Sequence, residues 1–279
     1  MFDLILVIIV VLALFISSII DFKTREIPDK LSIGLIVAAV ILKVLHAYEI
    51  SNFSILISSF IGFLIFLGIS LIMYYTRQWG GGDAKLFMAI GIALPYYPEE
   101  LTIFNPNLDV NFLFIIAFNV LIFGFLYGIG YMAYLMFKNK NKLSKLRLKV
   151  RKLYFLLPLS IVILSLFFQY ELRLLLLILA FLVLIYPYLF GVIKFVEKEI
   201  MTYKLKVNKL TEGDWILNDI FYKGKKIYSR KSPGVTKEQI KLFIKYKMKE
   251  VLIREGIPFV PAIFLAVVFS LIFGNIFSF

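Results

Sequence analysis

Long apolar runs separated by short polar connections dominate this chain. A helix needs roughly 20 apolar residues to cross a bilayer. Eight runs approach that length, which predicts an all-α polytopic membrane protein: 4–20, 31–47, 55–75, 86–95, 112–137, 153–168, 174–193 and 257–277. The fourth run is short, so it predicts either a short helix in a locally thinned bilayer or a partly re-entrant segment.

Between the seventh and eighth runs, residues 194–256 have a different pattern, which predicts a small α+β domain. Residues 203–208 alternate as a half-buried strand does, and residues 220–229 read as a hairpin that turns near Gly224. Thr236 and Gln239 have the spacing of a capping box, and Gly256 is expected to end the helix that follows. The apolar stripe of that helix is Ile240, Phe243, Ile244, Met248, Val251 and Leu252.

The composition agrees with a membrane protein and narrows its chemistry. Of the 279 residues, 61% are hydrophobic, which excludes an ordinary soluble enzyme and a disordered chain. There is no cysteine, so a disulfide, a thiolate zinc site and a cysteine nucleophile are excluded. His46 is the single histidine and cannot form a histidine metal site alone, so we expect no metal and no cofactor. We expect His46 at the outer interface, and the Lys43 side chain is expected to extend to the interface nearby.

The formal net charge of +13 is distributed unevenly over the connections. Connections rich in lysine and arginine alternate with connections that hold one such residue or none, and 138–152 holds eight bases and no acid. Because basic residues favour the cytoplasmic side, this alternation predicts a plasma-membrane protein whose N-terminus lies outside. The charge therefore indicates topology and contact with membrane lipids, not nucleic acid.

These patterns divide the chain into four parts. Residues 1–137 are expected to form a membrane core, and 138–193 a basic loop with two further spans. Residues 194–256 are expected to form the cytoplasmic domain, and 257–279 the last span.

Two aspartates are the strongest candidates for chemistry. Asp21 directly follows the first apolar run, and Asp83 directly precedes the fourth, so both fall on the predicted cytoplasmic side. Two carboxyl groups that share a site do not both ionise easily, so one holds a proton. Such a pair suits amide hydrolysis, since the charged group activates water and the protonated group donates to the carbonyl oxygen.

Three consecutive glycines, Gly80, Gly81 and Gly82, precede Asp83. Glycine permits positive φ and the close approach of another chain. We therefore expect these glycines to form a ledge for an extended substrate, although a flexible turn is the simpler reading.

Both aspartate segments resemble motifs of the archaeal type IV prepilin peptidase and preflagellin peptidase family. The segment Gly80-Gly-Gly-Asp83-Ala-Lys-Leu86 resembles the GxGD motif of these aspartic membrane proteases. The segment Asp21-Phe-Lys-Thr-Arg-Glu-Ile-Pro28 resembles the first aspartate motif, in which an Ile-Pro pair follows the aspartate. The resemblance covers about residues 1–95 by motif.

The resemblance implies a specific reaction. Members remove short basic leader peptides from prepilins or preflagellins at the cytoplasmic face. By this resemblance, Asp21 and Asp83 take the two catalytic positions. The other residues of the second motif are Gly80, Gly82 and Lys85, and those of the first motif are Ile27 and Pro28. The chain lacks the cysteine-bearing insert of many bacterial members, so N-methylation is not expected.

Three other functions fit parts of the pattern. A proton- or cation-coupled transporter also places aspartates beside glycine breaks, but we find no internal repeat and few charged residues deep inside the runs. A presenilin-like protease shares the GxGD core but not the Ile-Pro pair. A structural membrane anchor with a binding domain is excluded only by the pair of motifs.

Overall fold

The computed structural model describes residues 1–148 and 150–276, so Lys149 of the predicted basic loop and the end of the last predicted span lie outside the described residues. The helices are α1 (Phe2–Thr24), α2 (Asp29–Glu49), α3 (Ser54–Tyr75), α4 (Gly81–Ala93), α5 (Phe112–Lys138), α6 (Leu156–Ser165), α7 (Tyr170–Phe195), α8 (Lys237–Lys245) and α9 (Val260–Phe273). The strands are β1 (Thr202–Lys206), β2 (Trp215–Ile216), β3 (Ile220–Tyr222), β4 (Lys225–Tyr228) and β5 (Glu250–Arg254).

Within the described residues, each of the eight apolar runs contains a helix, but the helices differ in length. Five of them (α1, α2, α3, α5 and α7) are long and apolar enough to cross a membrane. The other three, α4, α6 and α9, have 13, 10 and 14 residues. The fold is therefore mostly helical with a small sheet region, and a count of eight crossings stays a prediction.

Helix α4 is the central helix of the bundle. Its apolar residues from Leu86 to Ala93 are almost all buried against α1, α2 and α3. Gly62 of α3 and Gly91 of α4 touch backbone to backbone, since a Cβ at Gly62 would lie 2.2 Å from the Gly91 carbonyl oxygen. A helix that is apolar all round is suited to a protein interior. Because the neighbouring helices cover α4, it does not need the length of a lipid-facing span.

At the end of the bundle away from Asp21, a buried ion pair joins α1 and α2. Lys43 Nζ lies 2.8 Å from Asp3 Oδ1 and donates to the Tyr96 hydroxyl at 3.2 Å. Lys43 is 1% exposed. The expectation that Lys43 extends to the membrane interface is therefore wrong, because Asp3 supplies a partner inside the bundle. His46 Nδ1 lies 3.6 Å from the same Asp3 oxygen.

Helices α6 and α7 pack mainly on each other and stand apart from the bundle core. The bundle core consists of residues from α1, α2, α3, α4, α5 and α9. The C-terminal end of α7 reaches the bundle through Phe195 and Val196, which pack near Met132 and Leu135 of α5. The α6–α7 pair thus carries the chain away from α5 and returns it to the Asp21 end.

The small domain that follows α7 combines a three-stranded antiparallel sheet, in the order β1-β5-β2, with the hairpin β3-β4 and helix α8. The predicted strand, hairpin and capping box are all present, and the Thr236 hydroxyl accepts from the Gln239 N–H. The predicted end of the helix at Gly256 is wrong. Lys247 has positive φ, so the helix stops at Lys245 and the apolar residues Val251 and Leu252 lie in the central strand β5.

Candidate active site

Asp21 lies in the last turn of α1 and faces the beginning of α9. Its Oδ2 accepts a hydrogen bond of 3.1 Å from the Val260 N–H, and the side chain is 5% exposed. Pro261 occupies the first turn of α9, where its missing N–H costs nothing. The free N–H groups at a helix N-terminus favour negative charge, so α9 stabilises Asp21 as a carboxylate.

Asp83 lies in the first turn of α4, before the apolar part of that helix and outside the five long spans. Its Oδ2 accepts a hydrogen bond of 2.9 Å from the Gly80 N–H. Burial raises the pKa of Asp83 to about 7, and the negative charge of Asp21 acts in the same direction. Near neutral pH, Asp83 therefore retains a proton in a large part of the molecules.

The two aspartate motifs contact each other directly. A Cβ at Gly82 would lie 2.7 Å from Ile27 Cβ, so the Ile-Pro segment rests against the α4 backbone next to Asp83. Pro28 is the residue before α2 and turns the chain into that helix. Lys85 Nζ lies 2.5 Å from Asp29 Oδ1, which adds an ion pair between the motifs. All the predicted site residues are thus gathered at one end of the bundle.

The three glycines have different surroundings, and none has positive φ. Gly80 is the extended N-cap residue of α4, while Gly81 and Gly82 belong to the helix. The permitted positive φ is not used here, because α4 begins at Gly81. Close approach does apply, but the neighbour at Gly82 is Ile27 of the same chain.

For the leader cleavage that the motif resemblance implies, we expect Gly82→Ala to lower kcat/KM by about a hundredfold, because the added Cβ displaces Ile27 and shifts Asp83 from its position. The matched control is Gly81→Ala, whose Cβ would have no neighbour nearer than Tyr74 Cε2 at 3.9 Å. Initial cleavage rates of the two variants test this difference. Equal rates for both variants would show that the Ile27 contact does not position Asp83.

Aromatic rings fill the space beside the two carboxyl groups. Trp79, which is 3% exposed, lies with its ring 5.4 Å from that of Phe259 and 5.1 Å from that of Phe87. Phe259 precedes the residue that hydrogen-bonds Asp21, and Trp79 precedes the glycines that lead to Asp83. The rings therefore join the start of α9 to the start of α4 and reduce the polarity around the pair.

Arg25 links this end of the bundle to the small domain. Its Nε donates to Glu255 Oε1 at 3.2 Å, and its Nη2 donates to the Tyr131 hydroxyl of α5. Burial is the main cause that raises the pKa of Asp214 in the small domain. The negative charges of Glu26 and Glu255 act in the same direction. The Asp214 side chain itself closes a turn by accepting the Thr211 N–H.

Two parts of this site were missed from the sequence. The Val260 N–H on Asp21 comes from 239 residues further along the chain, and the Arg25–Glu255 pair spans a similar separation. The Pro-Phe-Val-Pro segment that begins at Pro258 was a signal for the start of α9, but not for its partner. Within the described residues, no group of three or more histidines and acids is arranged to hold a metal ion.

Comparison with known proteins agrees with the two motifs. Residues 8–132 match the type IV leader peptidase family. This match covers 125 of the 279 residues, so the likeness to that family holds for this part of the chain. Both Asp21 and Asp83 fall inside the matched region, which ends in the second half of α5. Together with this likeness, the five long apolar helices indicate a multi-pass membrane protein.

Curated relatives of this chain are preflagellin peptidases from archaea. The chain is 31% identical over 149 residues to the preflagellin peptidase of Methanococcus maripaludis. These residues make up 52% of this chain and 63% of that protein. It is 37% identical over 86 residues to that of Methanococcus voltae, covering 31% of this chain and 36% of the relative. The chain thus spans less than two thirds of the length of these relatives. No solved structure matches it.

Proposed function

We propose that this chain is a membrane aspartic endopeptidase that removes basic leader peptides from preflagellins or prepilins. The observation that carries the proposal is that two buried carboxyl groups, Asp21 and Asp83, lie at one end of the bundle and each accepts a main-chain N–H at the start of a helix. The contact between the Trp79 and Phe259 rings joins the starts of these two helices. Support also comes from the names of the relatives, which are preflagellin peptidases.

The surroundings of the two carboxyl groups suggest different roles. Asp21 accepts an N–H from the start of a second helix, which favours its ionised form, so it is the group that takes a proton from the attacking water. Asp83 holds its proton near neutral pH and donates it toward the carbonyl oxygen of the scissile bond. The new C–O bond forms as water adds. The C–N bond then breaks as the leaving nitrogen takes the proton that Asp21 accepted, and Asp83 regains a proton from a hydroxyl group of the tetrahedral intermediate.

We place the site at the cytoplasmic face. Arg25, Lys85 and Lys138 lie at the Asp21 end, where α1, α3, α5 and α7 end and the small basic domain packs. The opposite end carries Glu99, Glu100 and Asp109 in connections without a base. This distribution is typical of a protein whose Asp21 end is inside the cell. A basic leader would then meet the site where its hydrophobic helix enters the membrane.

The direct test is cleavage by the purified chain in lipid vesicles. Leader-bearing preflagellin is incubated with the vesicles, and the products are identified by mass spectrometry. We expect a single cut that releases the leader, and a slower cut when glutamine replaces the leader lysines and arginines. Proton or cation flux that depends on Asp21 and Asp83, without cleavage, would support the transporter alternative and overturn the proposal.

The protonated state of Asp83 predicts a limit at alkaline pH. Because burial raises the pKa of Asp83 to about 7, the acid is present below that pH and is lost above it, so kcat is expected to fall about tenfold for each pH unit well above 7. Asp214→Asn is the matched control, since Asp214 also has a raised pKa but lies in the small domain. This variant is expected to keep the pH profile of the wild type. A wild-type rate that stays constant to pH 9 would contradict the assignment of Asp83 as the acid.

A further inference from the structure

One face of helix α5 lines the Asp21 end of the bundle. Gly124 lies against Phe259, since a Cβ at Gly124 would be 2.6 Å from Phe259 Cζ. Tyr131 lies one to two turns further along the same face and accepts a hydrogen bond from Arg25. Tyr127 sits between these two positions at helical spacing, so the fold places it beside the last turn of α1.

The neighbours of Tyr127 agree with that placement. Its ring meets Phe22, the residue after Asp21, edge to face with a centroid separation of 6.4 Å. The Tyr131 ring stacks on it at 6.0 Å. The charges of Asp21 and Arg25 both act on its hydroxyl group. Tyr127 therefore lies beside the last turn of α1, which carries the carboxyl group that we assign as the base.

The Tyr127 hydroxyl is buried and has no hydrogen-bond partner within residues 1–148 and 150–276. A buried hydroxyl without a partner destabilises a fold, because its interaction with water is lost and not replaced. The contacts with Phe22 and Tyr131 need only the ring, so phenylalanine would satisfy them equally well. Packing thus accounts for the ring of Tyr127 but not for its oxygen.

A substrate for cleavage brings the acceptor that the hydroxyl lacks. The scissile segment must be extended to expose its peptide bond, and an extended segment has main-chain carbonyl oxygens without internal partners. We propose that Tyr127 is a further residue of the active site, and that its hydroxyl donates a hydrogen bond to a main-chain carbonyl oxygen of the bound substrate on the Asp21 side. This inference rests on the proposed function.

The test is Tyr127→Phe, which removes only the oxygen. We expect kcat/KM for leader cleavage to fall about tenfold, the loss typical of one well-placed hydrogen bond. The thermal midpoint is expected to stay the same or rise, because the variant removes an unpaired buried group. The control is Tyr134→Phe on the same helix, whose side chain is 54% exposed and whose rate should match that of the wild type.

A second measurement separates substrate contact from an indirect effect. In the Asp21→Asn background, binding of uncleaved preflagellin is measured with and without Tyr127→Phe, and the dissociation constant is expected to rise several-fold. Unchanged kcat/KM in Tyr127→Phe would overturn the inference, and so would a loss of rate accompanied by a lower thermal midpoint, which indicates a structural role. The proposed function fails separately, if the wild-type chain does not cleave preflagellin, or if Asp21→Asn cleaves at the wild-type rate and so excludes an aspartic mechanism through Asp21.

Discussion

Asp21→Asn and Asp83→Asn are each expected to lower the rate of leader cleavage by at least about a thousandfold. In the first variant the water loses its base, and in the second the carbonyl oxygen loses its proton donor. Asparagine keeps the size of the side chain and still accepts the N–H of Val260 or Gly80, so the hydrogen bonds at both helix N-termini are preserved. Single-turnover cleavage in vesicles measures both rates.

The fold of these two variants provides the control. Each substitution replaces a buried ionisable group by a neutral one, so the thermal midpoint is expected to equal or exceed that of the wild type. A matched variant, Asp29→Asn, removes an exposed carboxylate from the same end of the bundle and is expected to keep most of the activity. Near-wild-type cleavage by Asp21→Asn or Asp83→Asn would remove that residue from the mechanism.

Lys43→Met is expected to destabilise the bundle by about 3–5 kcal/mol, because it removes the lysine charge that balances the buried Asp3 carboxylate. Lys43 also lies over the Tyr96 ring, with Nζ 4.3 Å from the ring centroid, so the variant loses that contact as well. Thermal or denaturant unfolding in detergent measures the change in the free energy of unfolding.

The double variant Asp3→Asn with Lys43→Met tests the cause. It removes both charges, so the free energy of unfolding is expected to return to within about 1 kcal/mol of the wild-type value. The cleavage rate of the double variant should be unchanged, since the ion pair lies at the end of the bundle away from Asp21. If Lys43→Met alone is as stable as the wild type, the buried ion pair does not hold α1 and α2 together.

Much of the site follows from local patterns in the sequence. The distribution of lysine and arginine indicated that Asp21 and Asp83 lie at the same depth, and α1 and α4 indeed bring them to one end of the bundle. Local capping signals were equally informative, since Thr236 and Gln239 form the predicted capping box. These features depend on helical periodicity and on charge, both of which act over short distances along the chain.

Long-range packing was not predictable in the same way. Val251 and Leu252 have the spacing of a helix stripe, yet they lie in β5 because two other strands need a central partner. Lys43 appeared to be interfacial because the partner that buries it, Asp3, is 40 residues away. The Val260 N–H on Asp21 depends on the return of the chain after the small domain, and no local signal specifies that contact.

The central claim is that Asp21 and Asp83 act as one catalytic unit, and a double-mutant cycle tests it most directly. Single-turnover rates are measured for the wild type, Asp21→Asn, Asp83→Asn and the double variant on the same preflagellin. If the pair acts as a unit, the double variant is expected to be no slower than the slower single variant, since either change alone disables the reaction. Losses that multiply in the double variant would contradict the account, because they would show two independent contributions.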